Sequence, residues 1–117
     1  VGGLNIYPRE IEEYLIEHPE IKEVAVVGVP DKELGEVVAA SVVPTKNADL
    51  KKQDVVDYLY GKVASAKVPR YVSITDSLPV SGRGKVQKFR LRDTLEDMVE
   101  DGKLQKIVPT KVKEKKK

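Results

Sequence analysis

Two apolar stretches stand six residues apart, at positions 21–29 (IKEVAVVGV) and 36–43 (EVVAASVV). Both are rich in β-branched residues and of strand length, so each predicts a buried strand. Pro30 and Asp31 open the connection between them and Gly35 ends it. That predicts a hairpin with a longer loop, with Gly35 and Glu36 as turn and strand-start residues. The remaining apolar residues must cover this pair.

Amphipathic segments on either side supply the cover. Pro8 suits the first helical position, where no donor is needed. Ile11, Tyr14 and Leu15 follow at helical spacing, with His18 in the last turn and Pro19 as the stop. His18 is expected to meet the negative end of the helix dipole. Val55, Val56, Leu59 and Val63 mark a second helix over residues 51–65, weakened at Gly61. A basic turn at 67–70 leads to a third strand, 71–75 (YVSIT). A third helix falls within 88–101, with Leu91, Leu95 and Met98 inward and Gly102 as the stop. The order predicts an α+β fold: a small two-layer domain, with about three helices on one face of a mainly antiparallel sheet. Residues 1–108 form the domain and 109–117 a basic, disordered tail.

Composition excludes several chemistries. The 117 residues include no cysteine and one histidine. Disulfides, thiolate metal sites and cysteine nucleophiles are ruled out, and no resident metal is expected. No apolar run approaches the length of an integral membrane segment. The net charge is +2, but residues 111–117 hold five lysines against Glu114, so the body carries −2. A mildly acidic body is unlike a nucleic-acid binder, and none is expected as a partner. Lys88, Arg90 and Arg92 lack an aromatic platform, and Phe89 reads as core. Paired carboxylates such as Glu12 and Glu13, and the acidic run from Asp31 to Glu36, read as solvated surface. The chain starts at Val1 and its only methionine is Met98, which suggests a piece of a longer protein.

One loop offers chemistry. In LPVSGRGKVQKFRLRD, residues 78–93, Gly82 and Gly84 frame a turn that ends on Lys85. A lysine on such a loop is a mobile cation suited to a phosphate or carboxylate. It is not a Walker lysine, because position 79 is Pro and position 86 is Val. Gly82 and Gly84 do not complete a dinucleotide fingerprint either. On residue chemistry alone, an exposed basic turn and an anion-binding lysine both stay open.

The whole pattern is more specific. Gly2, Gly3, Ile6, Pro8, Glu10, Ile11 and Glu12 spell G-G-x-x-I-x-P-x-E-I-E. Pro30, Asp31, Gly35 and Glu36 follow as P-D-x-x-x-G-E, and Pro79, Gly84 and Lys85 as P-x-x-x-x-G-K. Over residues 1–95 the chain resembles the C-terminal domain of the AMP-forming acyl-CoA synthetases. These belong to the adenylate-forming superfamily, with luciferases and peptide-synthetase adenylation domains.

The resemblance implies a reaction in two steps. A carboxylic acid, with fatty acids the expected class, reacts with ATP to give acyl-AMP and pyrophosphate. The thiol of coenzyme A then displaces AMP. Lys85 would enter the protein's own N-terminal adenylate-forming domain for the first step, carried by Gly82 and Gly84. The small domain would then turn and present Gly2, Gly3 and Asn5 to the coenzyme A channel. Lys62 and Lys67 would lie near coenzyme A phosphates. Mg2+ would accompany ATP without binding this domain, and the fragment alone would be inactive. A cytoplasmic enzyme is expected, with peripheral membrane association left open. Two alternatives remain: a peptide-synthetase-like adenylation domain and a non-catalytic module on the same fold. Gln87 and Lys88 after Val86, where peptide synthetases often carry Asp-Arg, favour the CoA ligases.

Overall fold

A computed structural model describes residues 8–33, 35–64, 67–79 and 85–110. Helix α1 spans Pro8–Ile16, and strands β1 and β2 span Ile21–Asp31 and Gly35–Pro44. Helix α2 spans Lys52–Leu59, strand β3 Tyr71–Ile74 and helix α3 Lys88–Glu100. The expected α+β class, small sheet and three helices are all present. The hairpin strands run further into the turn than the apolar pattern alone indicates, to Asp31 and from Gly35.

β2 is the central strand, antiparallel to β1 and parallel to β3. A parallel neighbour requires a crossover, and residues 45–70 with α2 supply it. The sheet is therefore mixed, with its longer pairing antiparallel.

The layering differs from the expectation of helices on one face. Ile11 and Leu15 of α1 and Val55, Val56 and Leu59 of α2 pack with Val26, Val38, Ala40, Val42 and Val72. Leu91 and Leu95 of α3 pack instead with Ala25, Val27, Val29, Val37, Ala39 and Tyr71. Successive strand residues point to opposite faces, so these are two cores on two faces, and the sheet is covered on both. The continuous burial of β2 from Val37 to Val43 is the cause. A strand buried at every position from 37 to 43, and apolar at all of them but Ser41, cannot leave one face in water.

α2 is shorter than its apolar spacing suggests. Asp54 accepts from the Lys51 N–H at its start, 3.0 Å away, half of a capping box. At its other end Tyr60 is extended and Gly61 has a φ of 91°, a left-handed value that an L side chain would resist. His18 lies beyond the end of α1. Its Nδ1 accepts from the Glu20 N–H at 3.0 Å and its ring meets Tyr58 edge-on at 4.8 Å.

Residues 101–109, after α3, form a strap without helix or strand. Leu104 enters the second core. The Ile107 N–H donates to the Arg70 carbonyl at 2.9 Å, and Gln53 Nε2 donates to the Val108 carbonyl at 2.8 Å. Pro109 is buried, and Thr110 donates through its N–H and hydroxyl to the Asp57 carboxylate at 2.7 and 2.8 Å. The packed body thus continues through Thr110, past the boundary expected at 108. The rest of the basic tail lies outside the described residues.

Candidate functional site

Lys85 stands three residues before α3. It is exposed, and no described residue pairs with its ammonium group. The chain on either side is held. The Gln87 N–H donates to the Pro79 carbonyl at 2.9 Å, closing the base of the loop, and Val86 packs on the second core. Lys85 therefore projects from a fixed root. Gly82 and Gly84 lie outside the described residues, as do Gly2, Gly3 and Asn5.

Lys62 and Lys67 stand elsewhere. Lys62 follows α2, is exposed, and lies with its Nζ 4.8 Å from the centroid of the Tyr58 ring. Lys67 donates to Glu10 in the first turn of α1 at 3.1 Å. Their neighbours Val63 and Val68 belong to the α1–α2 core. The structure thus groups these two lysines with the helix that follows residues 2–5, on the face of the sheet opposite Val86 and α3. It does not bring them together with Lys85.

Around Lys85 the basic residues do not form an open stripe. Lys88 Nζ bonds Glu12 at 2.5 Å and the Val26 carbonyl at 3.0 Å. Arg90 donates to Gln87 at 3.1 Å, and Arg92 lies 3.6 Å from Glu96. Phe89, expected in the core, is 67% exposed. It projects from the first turn of α3, while the inward positions are Leu91 and Leu95.

A cleft of about 420 Å³ opens here, bounded by Pro8, Gly28, Glu36, Lys88, Phe89 and Arg92. Gly28 shapes one wall. A Cβ there would stand 2.7 Å from Glu36 Cδ, so any larger residue would make the end of the Glu36 side chain shift. Glu36, expected as a strand-start feature, also lines the cleft. Neither Gly28 nor the role of Glu12 was evident from local sequence, because each depends on a residue far along the chain.

Two carboxylates expected on the solvated surface are not there. Glu12 accepts from the Val26 N–H at 2.8 Å as well as from Lys88. The Asp31 side chain is only 4% exposed and bonds Lys106 at 2.7 Å. That hydrogen bond holds the Lys106 ammonium above its ordinary pKa, with burial opposing. Among the described residues no cluster of His, Cys, Asp or Glu could hold a metal ion, and no helix is long and apolar enough to cross a membrane.

Comparison with known proteins agrees with the residues. Residues 10–85 match the family model described as the AMP-binding enzyme C-terminal domain. A putative acyl-CoA synthetase, YngI of Bacillus subtilis, is 45% identical over 83% of this chain and 18% of its own length. The mitochondrial medium-chain acyl-CoA ligase ACSF2 of Danio rerio is 42% identical over 81% of this chain and 16% of its own. Among solved structures, ATP-bound MatB from Rhodopseudomonas palustris superposes with a TM-score of 0.79 at 42% identity, over 83% of this chain and 19% of that one. The chain thus spans less than a fifth of the length of these relatives. It belongs to the family of AMP-binding enzyme C-terminal domains found in acyl-CoA synthetases.

Proposed function

We propose that this chain is the mobile C-terminal domain of an AMP-forming acid–CoA ligase, with Lys85 as its catalytic residue. The observation that carries the reading is an exposed lysine on a pinned root, at the end of the family match. In the first step a carboxylate oxygen attacks the α-phosphorus of ATP and pyrophosphate leaves with the electron pair. Nucleophile and leaving group are both anionic. A cation placed between them by the closed domain lowers the repulsion most where the charges converge, in the transition state. ATP enters as its Mg2+ complex, with the metal held outside this domain.

In the second step the coenzyme A thiol attacks the acyl carbon and AMP departs. A lysine left in the cleft would obstruct this, and a domain turn removes it. Gly2, Gly3 and Asn5 then line the pantetheine channel, and Lys62 and Lys67 face the coenzyme A phosphates. The separation of these lysines from Lys85 across the sheet supports alternation, since one rotation exchanges one face for the other. The partners are therefore the N-terminal adenylate-forming domain, coenzyme A and a carboxylic acid. Relatives named for acyl and medium-chain substrates support a fatty acid. A cytoplasmic setting goes with this reading.

The test is a comparison of the full enzyme with this domain alone. The full enzyme should catalyse acid-dependent ATP–pyrophosphate exchange and CoA-dependent release of AMP, and the isolated domain should catalyse neither. Exchange that needs no carboxylic acid, or thioester formation without AMP, would refute the reading.

A further inference from the structure

We propose that Glu12 and Lys88 are positioning residues that close around the outer edge of β1 and fix the start of α3, and with it the root of Lys85, against α1. Among the described residues, β1 pairs with β2 on one side and with no strand on the other. On its other side the Val26 N–H donates to Glu12 at 2.8 Å, and Lys88 donates to the Val26 carbonyl at 3.0 Å. The two side chains also bond each other. Together they occupy the donor and the acceptor that a neighbouring strand would use at this residue.

The partners come from opposite sides of the sheet. Glu12 belongs to α1, on the first core, and Lys88 begins α3, on the second. No apolar contact can join those layers through the sheet, so the pair is a polar staple around its rim. Lys88 follows Lys85 by three residues. A displacement of the α3 start therefore moves the root from which Lys85 projects. The Glu12 and Lys88 side chains are 24% and 42% exposed, so their charge attraction alone is modest. Their shared bonds to one peptide unit supply the geometry. Reacting groups must be held to within about 0.5 Å, and a shift of about 1 Å can lower a rate roughly 100-fold.

This inference deepens the adenylation reading and rests on it for its kinetic arm. In the full enzyme, Lys88→Met and Glu12→Met should each lower the adenylation rate constant roughly tenfold. The KM for ATP should stay within about twofold, because neither residue is assigned to touch substrate. Lys88→Arg keeps donors at the same place and should regain most of the rate. Assays run well below each variant's melting midpoint separate this effect from unfolding. Hydrogen exchange at the Val26 amide should speed up in both Lys88→Met and Glu12→Met.

Unchanged rate constants in both folded variants would overturn the proposal. So would a raised KM for ATP in Lys88→Met with Glu12→Met at wild-type activity, since Lys88 would then be a substrate contact. If the wild-type enzyme shows no acid-dependent exchange, the functional reading fails instead. Val26 exchange then decides the staple by itself: faster exchange in both variants supports it, and unchanged exchange removes it.

Discussion

The two faces of the sheet are built differently. The first is covered by two helices that bury Ile11, Leu15, Val55, Val56 and Leu59. The second is covered by one helix that buries only Leu91 and Leu95, with Leu78 and Leu104 filling in from the turns. Each fully buried leucine or valine contributes about 1.5–3 kcal/mol, so α1 and α2 are held mainly by apolar burial. α3 is longer but has the smaller apolar hold, and it starts beside Lys85. The element that starts beside Lys85 thus relies more on polar ties, namely the staple at Val26 and the closed base at Pro79. An apolar surface slides at little cost in direction, whereas a pair of hydrogen bonds fixes one geometry.

The sharpest test of this difference is functional. Lys85→Ala should slow adenylation by about 10²-fold or more and leave thioester formation from preformed acyl-adenylate nearly intact. Gly3→Leu should do the reverse, obstructing thioester formation and sparing pyrophosphate exchange. Equal losses in both half-reactions for either variant would erase the proposed division of labour between the two steps. Next in size come the cores. Leu59→Ala and Leu95→Ala, one per face, should each cost about 2–5 kcal/mol in urea unfolding. A loss below about 1 kcal/mol for Leu95→Ala would mean that α3 is not packed on a true core.

A smaller effect tests the cleft wall. Gly28→Ala should cost about 1 kcal/mol, because the new methyl displaces the Glu36 side chain. Adding Glu36→Ala should abolish that cost, and a double-mutant cycle reads the coupling directly. The smallest concerns the strap. Lys106 has a raised folded pKa, so its contribution is full below the unfolded value of about 10.4 and is lost as pH rises through the folded value. The melting midpoints of wild type and Lys106→Met should therefore differ at pH 7 and converge above that window. A gap unchanged at high pH would detach the effect from the Asp31 bond.

Local pattern carried much of this architecture. Pro8 starts α1, Gly102 follows α3 with a φ of 79°, and the β-branched runs are the hairpin. Pattern was silent on what each element packs against. The unbroken burial of β2 implies two covered faces, yet the helix order does not say which helix goes where. Phe89 illustrates the same limit: an aromatic within an inward-reading segment lies on the outer side of its turn. Glu12 and Asp31 look like surface carboxylates until the partners 76 and 75 positions away are known. Lys85 was legible as an exposed basic residue because a loop position is a local property. The staple was not, because it exists only after three elements have assembled.

The parallel pairing of β3 has a consequence for the order of assembly. β1 and β2 are neighbours in sequence, and a hairpin can form in about 1–10 μs. β3 reaches β2 only after residues 45–70 have been drawn across as a closed loop, an entropic barrier that hairpin formation does not face. Until then the second edge of β2, including the apolar run from Val37 to Val43, stands open. An open edge of that composition is a template for another chain. The rate at which the crossover closes therefore sets how long a newly made domain is exposed to self-association.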